Sequence, residues 1–140
     1  AGSLAEMTDA ADAVVVGTIA RVSPGRVFGG KSGRPLHYAA LSVEVSSLLA
    51  GSVEGAQLTL EVPLFDGPDS IESLEAAVGL EAIFFLRAKI DGPFYRLSNF
   101  GAVVANEDGR AVTTDGPTAI EELAGRPFAE IVAVIAAAGS

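Results

Sequence analysis

Cysteine is missing from the chain altogether. That excludes disulfides, thiolate metal ligands and a cysteine nucleophile, and it leaves the redox compartment open. Tryptophan is also absent, and aromatics make up only 6% of residues, too few for a run of base-stacking platforms. Positive charge is scarce, with nine Lys and Arg against eighteen Asp and Glu. The resulting formal charge of −9 would repel a polyphosphate or an anionic membrane surface, so neither nucleic acid nor such a membrane is the expected partner. No uninterrupted apolar run approaches the roughly twenty residues of a membrane-spanning helix. The chain starts AGSLAEMTD, without a basic n-region or an apolar h-region. That leaves two alternatives, a cytoplasmic protein or one whose leader has been removed.

What is abundant is apolar surface. At 49% hydrophobic residues in 140, the chain suits one domain with a single sizeable core. No internal repeat and no linker-like shift of composition divides residues 1–140.

The strongest pattern is Asp12–Val22, DAVVVGTIARV, apolar on both faces with Gly17 in the middle. Such a strand is expected to line a closed, coiled barrel with one face and to lie under a helix with the other. Gly17 would mark the bend between the two duties. Leu36–Leu49 alternates, with Leu41, Val43 and Val45 on one side and Ser42, Glu44 and Ser46 on the other. Gln57–Val62 alternates again, and Ala82–Leu86 is apolar on both faces, as in a central strand. Phe94–Ser98, Gly101–Ala105 and Arg110–Thr114 read as further strands. The last two flank Asn106-Glu107-Asp108-Gly109, a hairpin signal. Ser23–Pro35, with four glycines and two prolines, reads as a long hairpin tip. Ile71–Ala77 is a helical turn or a loop.

Helical signals sit at the ends. Ser3-Leu4-Ala5-Glu6 and Thr118-Ala119-Ile120-Glu121 both fit a capping box. Beyond Gly125 and Pro127, Phe128, Ile131, Val132 and Ile135 recur at the helical period. Strands followed by terminal helices predict a barrel over about residues 11–114 with a helical tail over about 117–138.

The candidate chemistry is sparse. His37 is the one histidine and could act as a general base or a metal ligand. No HxH or HExxH spacing supports it, and a rim histidine beside Tyr38 is the favoured reading. Asp66, Asp69 and Glu72 gather carboxylates in a Gly/Pro-rich loop without the spacing of a calcium site, and Asp9 and Asp12 flank the first strand. Turn and cap chemistry explains both groups. The hydroxyls of Ser42, Ser46, Ser47 and Ser98 lie outside any G-x-S-x-G elbow, and Gly29-Gly30 forms neither a phosphate loop nor a dinucleotide fingerprint. An enzyme is therefore not expected, and no cofactor or metal is assigned. Arg21, Arg26, Lys31 and Arg34 concentrate positive charge in and around the first hairpin. They could steer an acidic partner, although a solvated loop tip is the commoner meaning of such a run.

Three segments carry a resemblance: Ala11–Val22 (ADAVVVGTIARV), Val43–Gly51 (VEVSSLLAG) and Val78–Leu86 (VGLEAIFFL). Together they resemble the netrin-like, tissue-inhibitor-of-metalloproteinase-like OB-fold superfamily, and its bacterial exported relatives in particular. The resemblance covers about Leu4 to Thr114. It implies a five-stranded Greek-key barrel of OB type, with a short N-terminal helix and a C-terminal helix. It also implies a non-enzymatic, extracytoplasmic or secreted domain that binds another protein. The inhibitors of that superfamily chelate a protease zinc through an N-terminal cysteine held by disulfides. Ala1 stands at that position here and Ala50 replaces the lysine of the "LKG" pattern, so metalloproteinase inhibition is not carried over. Arg26, Val27, Phe28, Lys31 and Arg34 are the expected protein-binding loop. Self-association of copies is the alternative, with a hydrolase or metal protein built on His37 a more distant one.

Overall fold

In the computed structural model the described residues are 4–28, 35–53, 55–64, 71–89, 94–98, 102–113 and 118–139. The chain is mainly β. A short helix α1 (Leu4–Ala10) leads into the strands β1 (Ala13–Phe28), β2 (Leu36–Gly51) and β3 (Gln57–Leu64). A short helix α2 (Ile71–Glu75) separates β3 from β4 (Glu81–Ala88), β5 (Tyr95–Leu97), β6 (Val103–Glu107) and β7 (Arg110–Thr113). The helices α3 (Thr118–Glu121) and α4 (Phe128–Gly139) close the chain. Among the described residues no helix is long and apolar enough to cross a membrane.

One sheet takes all seven strands in the order β1-β2-β3-β5-β4-β6-β7, and β1 also pairs with β4. The pairings β1–β2, β2–β3, β5–β4 and β4–β1 are antiparallel, while β3 and β5 meet in parallel at Leu60 and Tyr95. Strand β4 therefore holds β1 along one edge, and along the other β6 beside Ala82–Phe84 and β5 beside Leu86–Ala88.

The double apolar character of β1 and β4 has a direct structural cause. Val14, Val16, Ile83 and Phe85 point into one buried cluster with Val104, Ile120, Phe128, Ile131 and Ile135. Ala13, Val15, Ile19, Ala82, Phe84 and Leu86 point the other way, into a second cluster with Ala39, Leu41, Val43, Leu58 and Leu60. Successive strand residues face opposite sides, so two hydrophobic layers demand unbroken apolar runs in the strands between them. The expectation of a helix on the outer side of β1 is met in part: Val14 and Val16 share their buried cluster with Phe128, Ile131 and Ile135 of α4, and α4 itself lies against β2 and α1.

Gly17 sits where the register of β1 against β2 shifts, between Val16 and Gly17. A Cβ there would lie 2.6 Å from Val43 Cγ1 and 2.8 Å from the Glu44 carbonyl oxygen. The strands approach too closely for any side chain, and the bulge lets β1 bend. The β6–β7 hairpin turns on Asp108 (φ 53°) and Gly109 (φ 84°), the two left-handed residues of a type I′ turn.

The hairpin-tip reading of Ser23–Pro35 needs correction at its start. Strand β1 continues through Pro24 and Gly25 to Phe28, pairing Pro24 with Ala39 and Val27 with His37. Pro24 keeps its register against Ala39, and the ladder slips just after it, between Pro24 and Val27. Residues 29–34, with Lys31 and Arg34, lie outside the described residues, as do Asp66 and Asp69.

Candidate functional site: a clamped cationic end of the sheet

Glu61 on β3 is the most informative polar residue of the molecule. It alternates with Leu60 and Val62, so it points away from the second core cluster, yet its side chain is only 1% exposed. A buried carboxylate persists only with compensation. Two cations supply it. Arg26, reaching from β1 past the intervening β2, donates from Nε to Oε2 at 2.8 Å and from Nη2 to Oε1. Lys89, just beyond β4, donates from Nζ to Oε1 at 2.7 Å. The side chains of Arg26 and Lys89 are 28% and 14% exposed, so water reaches the cations but not the acid. The Arg26 hydrogen bonds, helped by Lys89 and opposed by burial, hold the Glu61 carboxyl below its ordinary value. Glu61 is an ionised anchor.

Each cation also rests on a ring. The Arg26 guanidinium lies 4.4 Å from the centroid of Phe94, and Lys89 Nζ lies 4.3 Å from that of Tyr38. Such stacking fixes the cations while leaving their charge in place. The ladder of β4 and β5 continues the pattern. Arg87 pairs directly with Arg96 and Ala88 with Tyr95, and beyond them the Lys89 N–H donates to the Phe94 carbonyl at 2.8 Å. Asp12 borders this face. It accepts the Ala88 N–H at 2.9 Å and stands 3.9 Å from Arg87.

Of the residues singled out from sequence, Arg26 belongs to this cluster and is not a solvated tip. Its partner lies 35 residues away on β3, a relation that local sequence does not display. Val27 is beside it and 54% exposed. His37 is half-buried on β2, between Val27 and Leu64 in the ladder, and among the described residues no carboxylate pairs with it. Among the described residues no group of three His, Asp or Glu side chains is arranged to hold a metal ion. Asp9 and Glu72 are exposed on α1 and α2. Sequence reasoning missed Glu61, Lys89, Arg87 and Arg96. One signal was present: seven of the nine basic residues fall within 21–34 and 87–96.

No family model, curated protein or solved structure matches the chain.

Proposed function

We propose that the chain is a non-enzymatic, extracytoplasmic protein-binding module built on a five-stranded Greek-key barrel of OB type. The cyclic pairing β1-β2-β3-β5-β4-β1, with β3 and β5 parallel and α2 between β3 and β4, supports the barrel reading. The single observation that carries the binding reading is the Glu61 clamp. It ties Arg26, near the end of β1, to Lys89, just beyond β4, in one rigid base. Binding residues are commonly carried on connections that a rigid scaffold holds in position. Exposed Val27 and the Arg26–Phe94 stack lie on that base. The extracytoplasmic location is what the netrin-like resemblance implies, and fractionation of cells expressing the natural full-length gene product tests it.

The immobilised chain is expected to retain a defined protein from the extracytoplasmic fraction of its source. Val27→Asp should reduce that retention with no loss of melting temperature, whereas Val112→Asp, on the distant β7, should not. Equal retention by the Val27 variant would move the site elsewhere. A second reading, self-association, rests on the outward face of α4, where Ala129, Ala133, Val134, Ala137 and Ala138 are exposed. Light scattering across a concentration series separates the two.

A further inference from the structure

Arg87 and Arg96 face each other directly across an antiparallel pair, both exposed, in a chain whose formal charge is −9. Like charges opposed in this way are destabilising, and acidic residues abound elsewhere in the sequence. Around them the described charges are Arg26 and Lys89 on one side, Glu61 beneath and Asp12 at the border. Four cations against two carboxylates leave this strip formally +2. Glu61 is buried, so Asp12, half-exposed beside Arg87, is the one of these two carboxylates that faces solvent, and Arg87 and Arg96 are the exposed cations of the strip.

From this juxtaposition we propose that the outward strip of β4 and β5, formed by Arg87, Lys89 and Arg96 with Arg26 beside it, docks an extended acidic segment of a partner protein. The proposal deepens the protein-binding reading and rests on it. Arg87 and Lys89 are two residues apart on one face, a spacing of about 7 Å that matches carboxylates at alternate positions of an extended peptide. Charge complementarity would speed encounter and select the partner, and it would relieve the Arg87–Arg96 repulsion on binding. Single-stranded nucleic acid fits less well. One face each of Phe94 and Tyr38 is already covered by Arg26 and Lys89, which removes stacking surface from bases.

The test uses the whole chain and a fluorescein-labelled peptide of alternating Glu and Ala, read by anisotropy at low and physiological salt. Labelled oligothymidylate and an alternating Lys–Ala peptide run in parallel. Saturable binding of the acidic peptide is expected, weakening with salt. Arg87→Glu/Arg96→Glu should weaken it by at least about tenfold, and Arg87→Gln/Arg96→Gln by less. The Gln double variant, which removes the like-charge pair, should not melt below the wild type, whereas the Glu double variant opposes two carboxylates beside Asp12 and is expected to lose a little stability while staying folded. Absent binding of the acidic peptide, equal binding by the Glu double variant, or preference for oligothymidylate would overturn the strip. If the wild type still retains its partner while the acidic peptide is inert, the strip fails and the binding reading survives. Loss of retention in the wild type defeats the broader reading.

Discussion

The guanidinium of Arg26 meets the carboxylate of Glu61 side-on, with Nε on Oε2 and Nη2 on Oε1, joining β1 to β3 on either side of β2. Bidentate contact fixes both groups more firmly than a single hydrogen bond. Removing the acid would strand two cations in a half-buried site. Glu61→Gln is therefore expected to destabilise the fold by about 2–4 kcal/mol, at the lower side of a buried pair because water reaches Arg26 and Lys89. Urea unfolding measures it. A loss under about 1 kcal/mol would show that the clamp contributes little.

The depressed Glu61 carboxyl makes stability depend on pH with a defined sign. Its folded-state value lies below the ordinary 4.5, so its contribution is fully present above that pH. It is lost as the pH falls through the lower, folded-state value. The gap in melting temperature between wild type and Glu61→Gln should therefore be constant near neutrality and narrow in acid. A gap that widened below pH 4.5 would contradict the arrangement.

A surface pair should behave differently. Arg126 and Glu130 form an ion pair one turn apart on the C-terminal helix region, with side chains 46% and 52% exposed. Arg126→Gln should change stability by no more than about 0.5 kcal/mol, and salt should erase even that.

Two glycines with the same backbone angle should respond unequally to alanine. Gly51 and Gly55 both have φ +74°, but a Cβ at Gly51 would stand 2.0 Å from the Asp12 carbonyl oxygen, whereas Gly55 faces open space. Gly55→Ala should cost about 1–2 kcal/mol from the left-handed backbone alone. Gly51→Ala should cost clearly more, since backbone must move. Chemical denaturation ranks them, and equal losses would refute the close approach.

Between the layers, Ile131 is 1% exposed and packs with Val14, Ile83 and Phe85 in one cluster. Ile131→Ala is expected to cost about 2–5 kcal/mol, read from the same unfolding curves.

The fold was legible where a short-range signal carries it. Apolar alternation located β2 and β3, double-faced runs located β1 and β4, and Asp108-Gly109 marked the last hairpin. Gly17 marked the bulge. The extent of β1 was hidden because Pro24 and Gly25 read as breakers, although the ladder runs on past them with a slip of register. The candidate site was mostly illegible. Glu61 resembles an ordinary outward polar residue of an alternating strand, and its partners lie 35 residues before it and 28 after it. Only folding that stacks β1, β3 and the end of β4 around one point reveals that the acid is buried.

Residues of β1 and of α4, more than a hundred positions apart, belong to one common hydrophobic layer. During synthesis Val14 and Val16 emerge well before Ile131 and Ile135, which share their buried layer. The sheet can begin to assemble before α4 has been made, but its outer layer stays wet until that helix docks. A stalled or truncated chain would thus carry an uncovered greasy strip, a ready mark for chaperones and proteases. Loss of this one helix would turn a closed fold into a sticky one.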